Sequence, residues 1–94
     1  MFSHVMLGAN DLEKSKSFYD AILGAIGYEP GVADDKGRVF WMNKTGIFSI
    51  SKPIDGEPAC HGNGSTLGFS VESIDAGNAW HAAGLENGGT DCED

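Results

Sequence analysis

The chain has 94 residues, 40% of them apolar, and sets 14 acidic against 6 basic side chains for a formal charge of −8. That length holds one small domain or one and a half structural repeats, and the apolar share marks a folded chain rather than a disordered one. The acidic balance excludes nucleic acid and anionic membrane surfaces as partners, because both need a basic footprint, and no apolar run approaches a membrane span.

Residues 3–9 alternate as a strand does, with His4, Met6 and Gly8 on one face and Val5, Leu7 and Ala9 on the other. Asn10 or Asp11 then caps a helix whose apolar stripe is Leu12, Ser15, Phe18, Tyr19, Ile22 and Leu23, with Glu13, Lys14, Lys16 and Asp20 on the wet side. Gly24 or Gly27 supplies its C-terminal cap. A short strand broken by Pro30-Gly31 is expected within 27–33, followed by a turn at Asp34-Asp35-Lys36-Gly37. Arg38 to Asn43 and Gly46 to Lys52 read as an aromatic-rich hairpin.

Pro53 to Gly64 is a Gly/Pro/Asp/Asn-bearing linker. Ser65 to Val71 has the pattern of a further strand. Ser73 or Asp75 caps a second, weaker helix with Ile74, Trp80 and Leu85 facing inward. Gly88-Gly89 and the acidic end at Asp91, Glu93 and Asp94 follow.

The chain repeats itself. Setting His4 over Thr66 brings Val5 onto Leu67, Leu7 onto Phe69, Leu12 onto Ile74, Phe18 onto Trp80 and Leu23 onto Leu85, apolar on apolar throughout. A fixed-offset similarity of this kind is a fold-level signal. The order β-α-β-β-β, linker, β-α is one complete unit followed by part of another, and an unfinished sheet leaves edges that pair with a second chain.

The opening His4-Val-x-Leu-x-x-Asn-Asp-Leu-x-x-Ser-x-x-Phe-Tyr-Asp-x-x-Leu-Gly resembles the N-terminal signature of the vicinal oxygen chelate superfamily, also called the glyoxalase/bleomycin resistance/dioxygenase family. Lys52-Pro53-x-Asp55-Gly56-x-Pro58-Ala59 followed by Gly62-Asn63-Gly64 is similar to the linker of a glyoxalase-like branch. The resemblance implies an α+β fold: residues 1–58 as a complete βαβββ module, 59–94 as linker and partial second βα module, together one glyoxalase-like domain completed by dimerisation.

The same resemblance implies two functional readings. One is a metal-assisted lyase or dioxygenase acting on a small molecule with neighbouring oxygens, the ion serving as a Lewis acid. The other is a metal-free small-molecule (drug) binder of the bleomycin-resistance type, or a non-catalytic truncated paralogue. His4 stands at the first metal-ligand position of the family, but Thr66 occupies the second, and a hydroxyl is a poor replacement for imidazole. One divalent ion or none is therefore the cofactor expectation, and a homodimer binding a small molecule the partner expectation.

Phe40, Trp41, Met42 and Phe48 are the pocket-lining candidates, although alternation lets only one of Phe40 and Trp41 face the pocket. Cys60-His61 with Cys92 are weak soft-ligand candidates, Asp55 and Glu57 are linker carboxylates available as a general base, and His81 is expected on the exposed side of the second helix. Two cysteines are too few for a disulfide scaffold and no leader pattern is visible, so a reduced, cytoplasmic protein is expected.

Overall fold

The structure, a computed structural model, describes residues 1–92. The acidic end expected at Glu93 and Asp94 lies outside the described residues. Strand β1 (His4–Gly8) leads into helix α1 (Leu12–Gly24). Strands β2 (Val32–Ala33), β3 (Val39–Asn43) and β4 (Gly46–Ser51) follow, and helix α2 (Ile74–Glu86) comes after a long connection.

Asp11 rather than Asn10 caps α1, its side chain accepting from the Lys14 backbone N–H at 3.1 Å. Asn10 works elsewhere. Its amide donates to the Ala59 carbonyl at 3.1 Å and accepts from the Ala59 N–H at 2.7 Å, which straps the linker to the end of β1. There Gly8 leaves just enough room, since a Cβ would lie 3.0 Å from that of Ala59. The helix closes at Gly24 with Ala25 as its cap, and Gly27 takes the positive φ of 98° that turns the chain.

The four strands form one mixed sheet in the order β1-β4-β3-β2. β1 runs parallel to β4, with Val5 opposite Phe48 and Leu7 opposite Ile50. The β3–β4 hairpin is antiparallel and sets Trp41 opposite Phe48 and Val39 opposite Ile50. Its turn is pinned by the Asn43 side chain, which accepts from the Thr45 N–H at 2.9 Å and hydroxyl at 2.6 Å. Alternation then divides the sheet. Val5, Leu7, Val39, Trp41, Phe48 and Ile50 share the face covered by α1, while His4, Met6, Phe40, Met42, Ile47 and Ser49 share the other.

The core is Ala9, Ile22, Leu23, Val39, Trp41, Phe48 and Ile50, with Val5, Phe18, Tyr19, Phe69 and Trp80 packed against it. Aromatic rings run through it in sequence. Tyr19 meets Phe48 at 4.7 Å and Trp41 at 5.6 Å, Phe48 meets Phe69 at 5.2 Å, and Phe69 meets Trp80 at 6.3 Å, so the chain of rings reaches from the sheet to α2. Burial in this cluster pushes the Tyr19 hydroxyl pKa upward.

Three expectations change. The strand within 27–33 shrinks to Val32–Ala33, because Pro30 has no N–H to donate and Gly31 must lie against Trp41. Residues 65–71 form no strand: the segment inserts Phe69 into the core but finds no neighbouring ladder, and a strand exists only by pairing. In α2, capped by Ser73 through the Ala76 N–H at 3.0 Å, Trp80 faces inward, but Ile74 is 83% and Leu85 47% exposed because no sheet lies beneath them among the described residues. No helix of the described residues is long and apolar enough to cross a membrane.

Candidate functional site

The buried wall of the fold is organised by one carboxylate. Asp20 Oδ1 accepts from the Trp41 indole N–H at 2.9 Å and the Gly31 backbone N–H at 2.8 Å, while Oδ2 takes Lys16 Nζ at 2.6 Å. Burial alone would raise the Asp20 pKa. The hydrogen bonds from Lys16, Gly31 and Trp41, with the Lys16 charge, outweigh it and hold the carboxyl below its ordinary value. This explains which of the two adjacent aromatics turns inward: Trp41 has an N–H that Asp20 can satisfy, and it is 1% exposed. Phe40, with no polar atom to place, takes the open face.

The four expected pocket residues therefore separate. Trp41 is a core residue under α1, which corrects its assignment to the pocket. Phe48 is 6% exposed in the same core, yet its ring reaches the floor of a groove. Phe40 and Met42 stand on the open sheet face, and Met42 is 57% exposed.

That groove, of about 940 Å³, curls around the free edge of β1, between the connection after α1, the β3–β4 turn and the extended segment 66–72. His4, Ile47 and Phe48 line it from the sheet and Thr66 and Phe69 from the facing segment. The two positions equated by the internal repeat, His4 and Thr66, thus share one groove. His4 Nδ1 lies 2.8 Å from the Ser3 hydroxyl. Ser49, fully buried beneath the open face, donates to the Val5 carbonyl at 2.8 Å and ties β4 to β1 beside this site.

The donor set does not fit the divalent ion that the resemblance implies. Among the described residues, no three His, Cys, Asp or Glu side chains come together, and Thr66, which shares the groove with His4, offers only a hydroxyl. Cys60 is exposed and His61 lies beside it in the exposed linker. Cys92 is remote from both in sequence and lines the rim of a second groove, of about 530 Å³, with His81, Trp80 and Leu85. His81 Nε2 sits 3.7 Å from Asp91, exposed as expected. Asp55 accepts from the Glu57 N–H at 3.0 Å, a turn contact that leaves both carboxylates in the solvated linker.

Sequence reasoning missed Asp20, which it placed on the wet side of α1. The i,i+4 spacing to Lys16 was visible, but the Trp41 contact joins positions far apart in the chain and has no local signal.

No protein-family model matches this chain, and no curated protein matches it. Among solved structures, the crystal structure of a glyoxalase/bleomycin resistance protein from Albidiferax ferrireducens T118 superposes with a TM-score of 0.94 at 58% identity, over 99% of this chain and 74% of that one. An identity that high across nearly the whole chain carries more than the fold, and it agrees with the mixed sheet, the two helices and the N-terminal signature described above. The chain belongs to the glyoxalase/bleomycin resistance protein family.

Proposed function

We propose that this protein binds a small planar or cationic molecule in the groove around β1, without a metal ion bridging protein and ligand. The carrying observation is that His4, Thr66, Phe48 and Phe69 all line one groove of about 940 Å³. That volume is the size of small-molecule sites, and polar and apolar groups share the lining almost equally. Phe48 and Phe69 supply ring surface, His4 and Thr66 supply hydrogen bonds, and the net charge of −8 favours a cation. In this reading residues 1–58 form the module that carries the sheet wall, 59–94 carry the opposing wall, and the working form is a homodimer.

The test uses a panel of planar aromatic cations, with binding followed by dye fluorescence and native mass spectrometry. Saturable binding that weakens at least severalfold in His4→Ala and is unchanged by added Zn²⁺, Ni²⁺ or Mn²⁺ is expected. Trp41 is no reporter for this site, because it lies under α1. The second reading, a metal-assisted lyase or oxygenase, rests on the family signature around His4 and needs further ligands from a partner subunit. Stoichiometric metal uptake by a dimer, with turnover of α-oxoaldehyde–thiol adducts and no dye binding, would replace the first reading by the second.

A further inference from the structure

We propose that Asn63-Gly64 is a site of spontaneous covalent modification, where the Asn63 side-chain amide is lost through a cyclic imide and the linker acquires an aspartate or isoaspartate. The chain contains two Asn-Gly pairs, Asn63-Gly64 and Asn87-Gly88, and the fold treats them differently.

Residues 62–65 are all exposed and form a tight turn. The Ser65 N–H donates to the Gly62 carbonyl at 3.0 Å, and Gly64, third in the turn, takes a φ of 92° that favours glycine. Nothing lies within 4 Å of where a Cβ of Gly64 would be. Among the described residues, neither the Asn63 side chain nor the Gly64 N–H has a hydrogen-bond partner. Electrophile and nucleophile are therefore both free of hydrogen bonds, and the Ser65 hydroxyl in the same turn is taken up by the Gly62 carbonyl at 2.6 Å.

The chemistry balances without any redox partner. The Gly64 backbone nitrogen bonds to Asn63 Cγ as the Cγ–Nδ2 bond breaks, and ammonia leaves with the proton that the nitrogen gives up. Water then adds to either ring carbonyl, yielding aspartate or isoaspartate. Each replaces a neutral amide by a carboxylate, and isoaspartate also lengthens the backbone inside a turn that leads directly to Thr66 on the groove wall.

Asn87 is held. Its Nδ2 donates to the Ala83 carbonyl at 2.8 Å, and its own N–H bonds to the Gly84 carbonyl at 3.2 Å, which also receives the Gly89 N–H at 2.7 Å. Imide formation there must first open the end of α2. The other asparagines outside the helices are occupied as well, Asn10 on Ala59 and Asn43 on Thr45.

The experiment incubates the intact protein in mildly alkaline buffer and follows both sites by peptide mapping, with isoaspartate detected by enzymatic methylation. In the native state Asn63 is expected to react about tenfold faster than Asn87, the rate equivalent of one or two net hydrogen bonds. In urea the two sites should react at similar rates, since both are followed by glycine. Asn63→Gln should remove the fast phase and leave the slow one. Equal native rates, a faster Asn87, or no native reaction at Asn63 would each overturn the proposal.

Discussion

Removing the Asp20 carboxylate tests whether it holds the inner wall by geometry or by charge. In Asp20→Ala the Trp41 indole N–H, on a side chain only 1% exposed, loses its acceptor, and so does the Gly31 N–H. A buried donor left unsatisfied costs about 1–3 kcal/mol. Gly31 is half-buried and recovers part of its loss from water, so the total comes to about 2–4 kcal/mol. In Asp20→Asn the side-chain oxygen can still serve both N–H groups, because both use Oδ1. Only the half-exposed Lys16 pair and the charge assistance go, about 1 kcal/mol. Urea denaturation at pH 7 should show a large drop in midpoint for Asp20→Ala and a small one for Asn, with the slope m unchanged. The pH dependence adds a second reading. A carboxyl whose folded pKa is depressed stabilises the fold above its unfolded pKa, and the contribution is lost as pH falls through the folded value. The wild type should therefore lose stability below the ordinary carboxylate range more steeply than Asp20→Asn. Equal destabilisation by Ala and Asn at pH 7 would refute the geometric account.

Three further outcomes follow from neighbouring contacts. Trp41→Phe should cost more than Trp80→Phe by thermal melting, because Trp41 donates to Asp20 whereas the buried Trp80 Nε1 has no partner among the described residues and its removal leaves nothing unpaired. Gly31→Ala should destabilise by about 1–3 kcal/mol or more, since its Cβ would fall 2.6 Å from Trp41 Cε2 and 2.7 Å from Val39 Cγ1 and the core must shift. Asn10→Ala should cost about 1–2 kcal/mol and speed limited proteolysis within 53–64, because both hydrogen bonds to Ala59 vanish together.

The sequence carried the first module well because its signals are local. Asp11 before Leu12, apolar residues at helical spacing, and two aromatic strands around Asn43 to Gly46 each declare an element from a few neighbouring positions. It could say that Phe40 and Trp41 face opposite ways, since alternation demands it, but not which turned inward. That choice is made by Asp20 from another element. Residues 65–71 failed for the complementary reason. Leu67, Phe69 and Val71 have strand composition, yet composition supplies only one side of a ladder, and the neighbour must come from elsewhere. The groove was half legible: the internal repeat equated His4 with Thr66, and both line it. The floor residues Phe48 and Phe69 meet only in three dimensions.

The sheet order β1-β4-β3-β2 also fixes an order of assembly. The β3–β4 hairpin closes through a two-residue connection and is the cheapest contact to form. β1, first in the chain, has no partner until Gly46–Ser51 has been made, and its parallel pairing must close the longest loop in the module. On a ribosome, the opening signature of the family waits, exposed, until the strand that receives it emerges. Amide exchange under native conditions should then find His4–Gly8 opening ahead of the hairpin, with the wall of the groove as the part of the molecule that comes and goes.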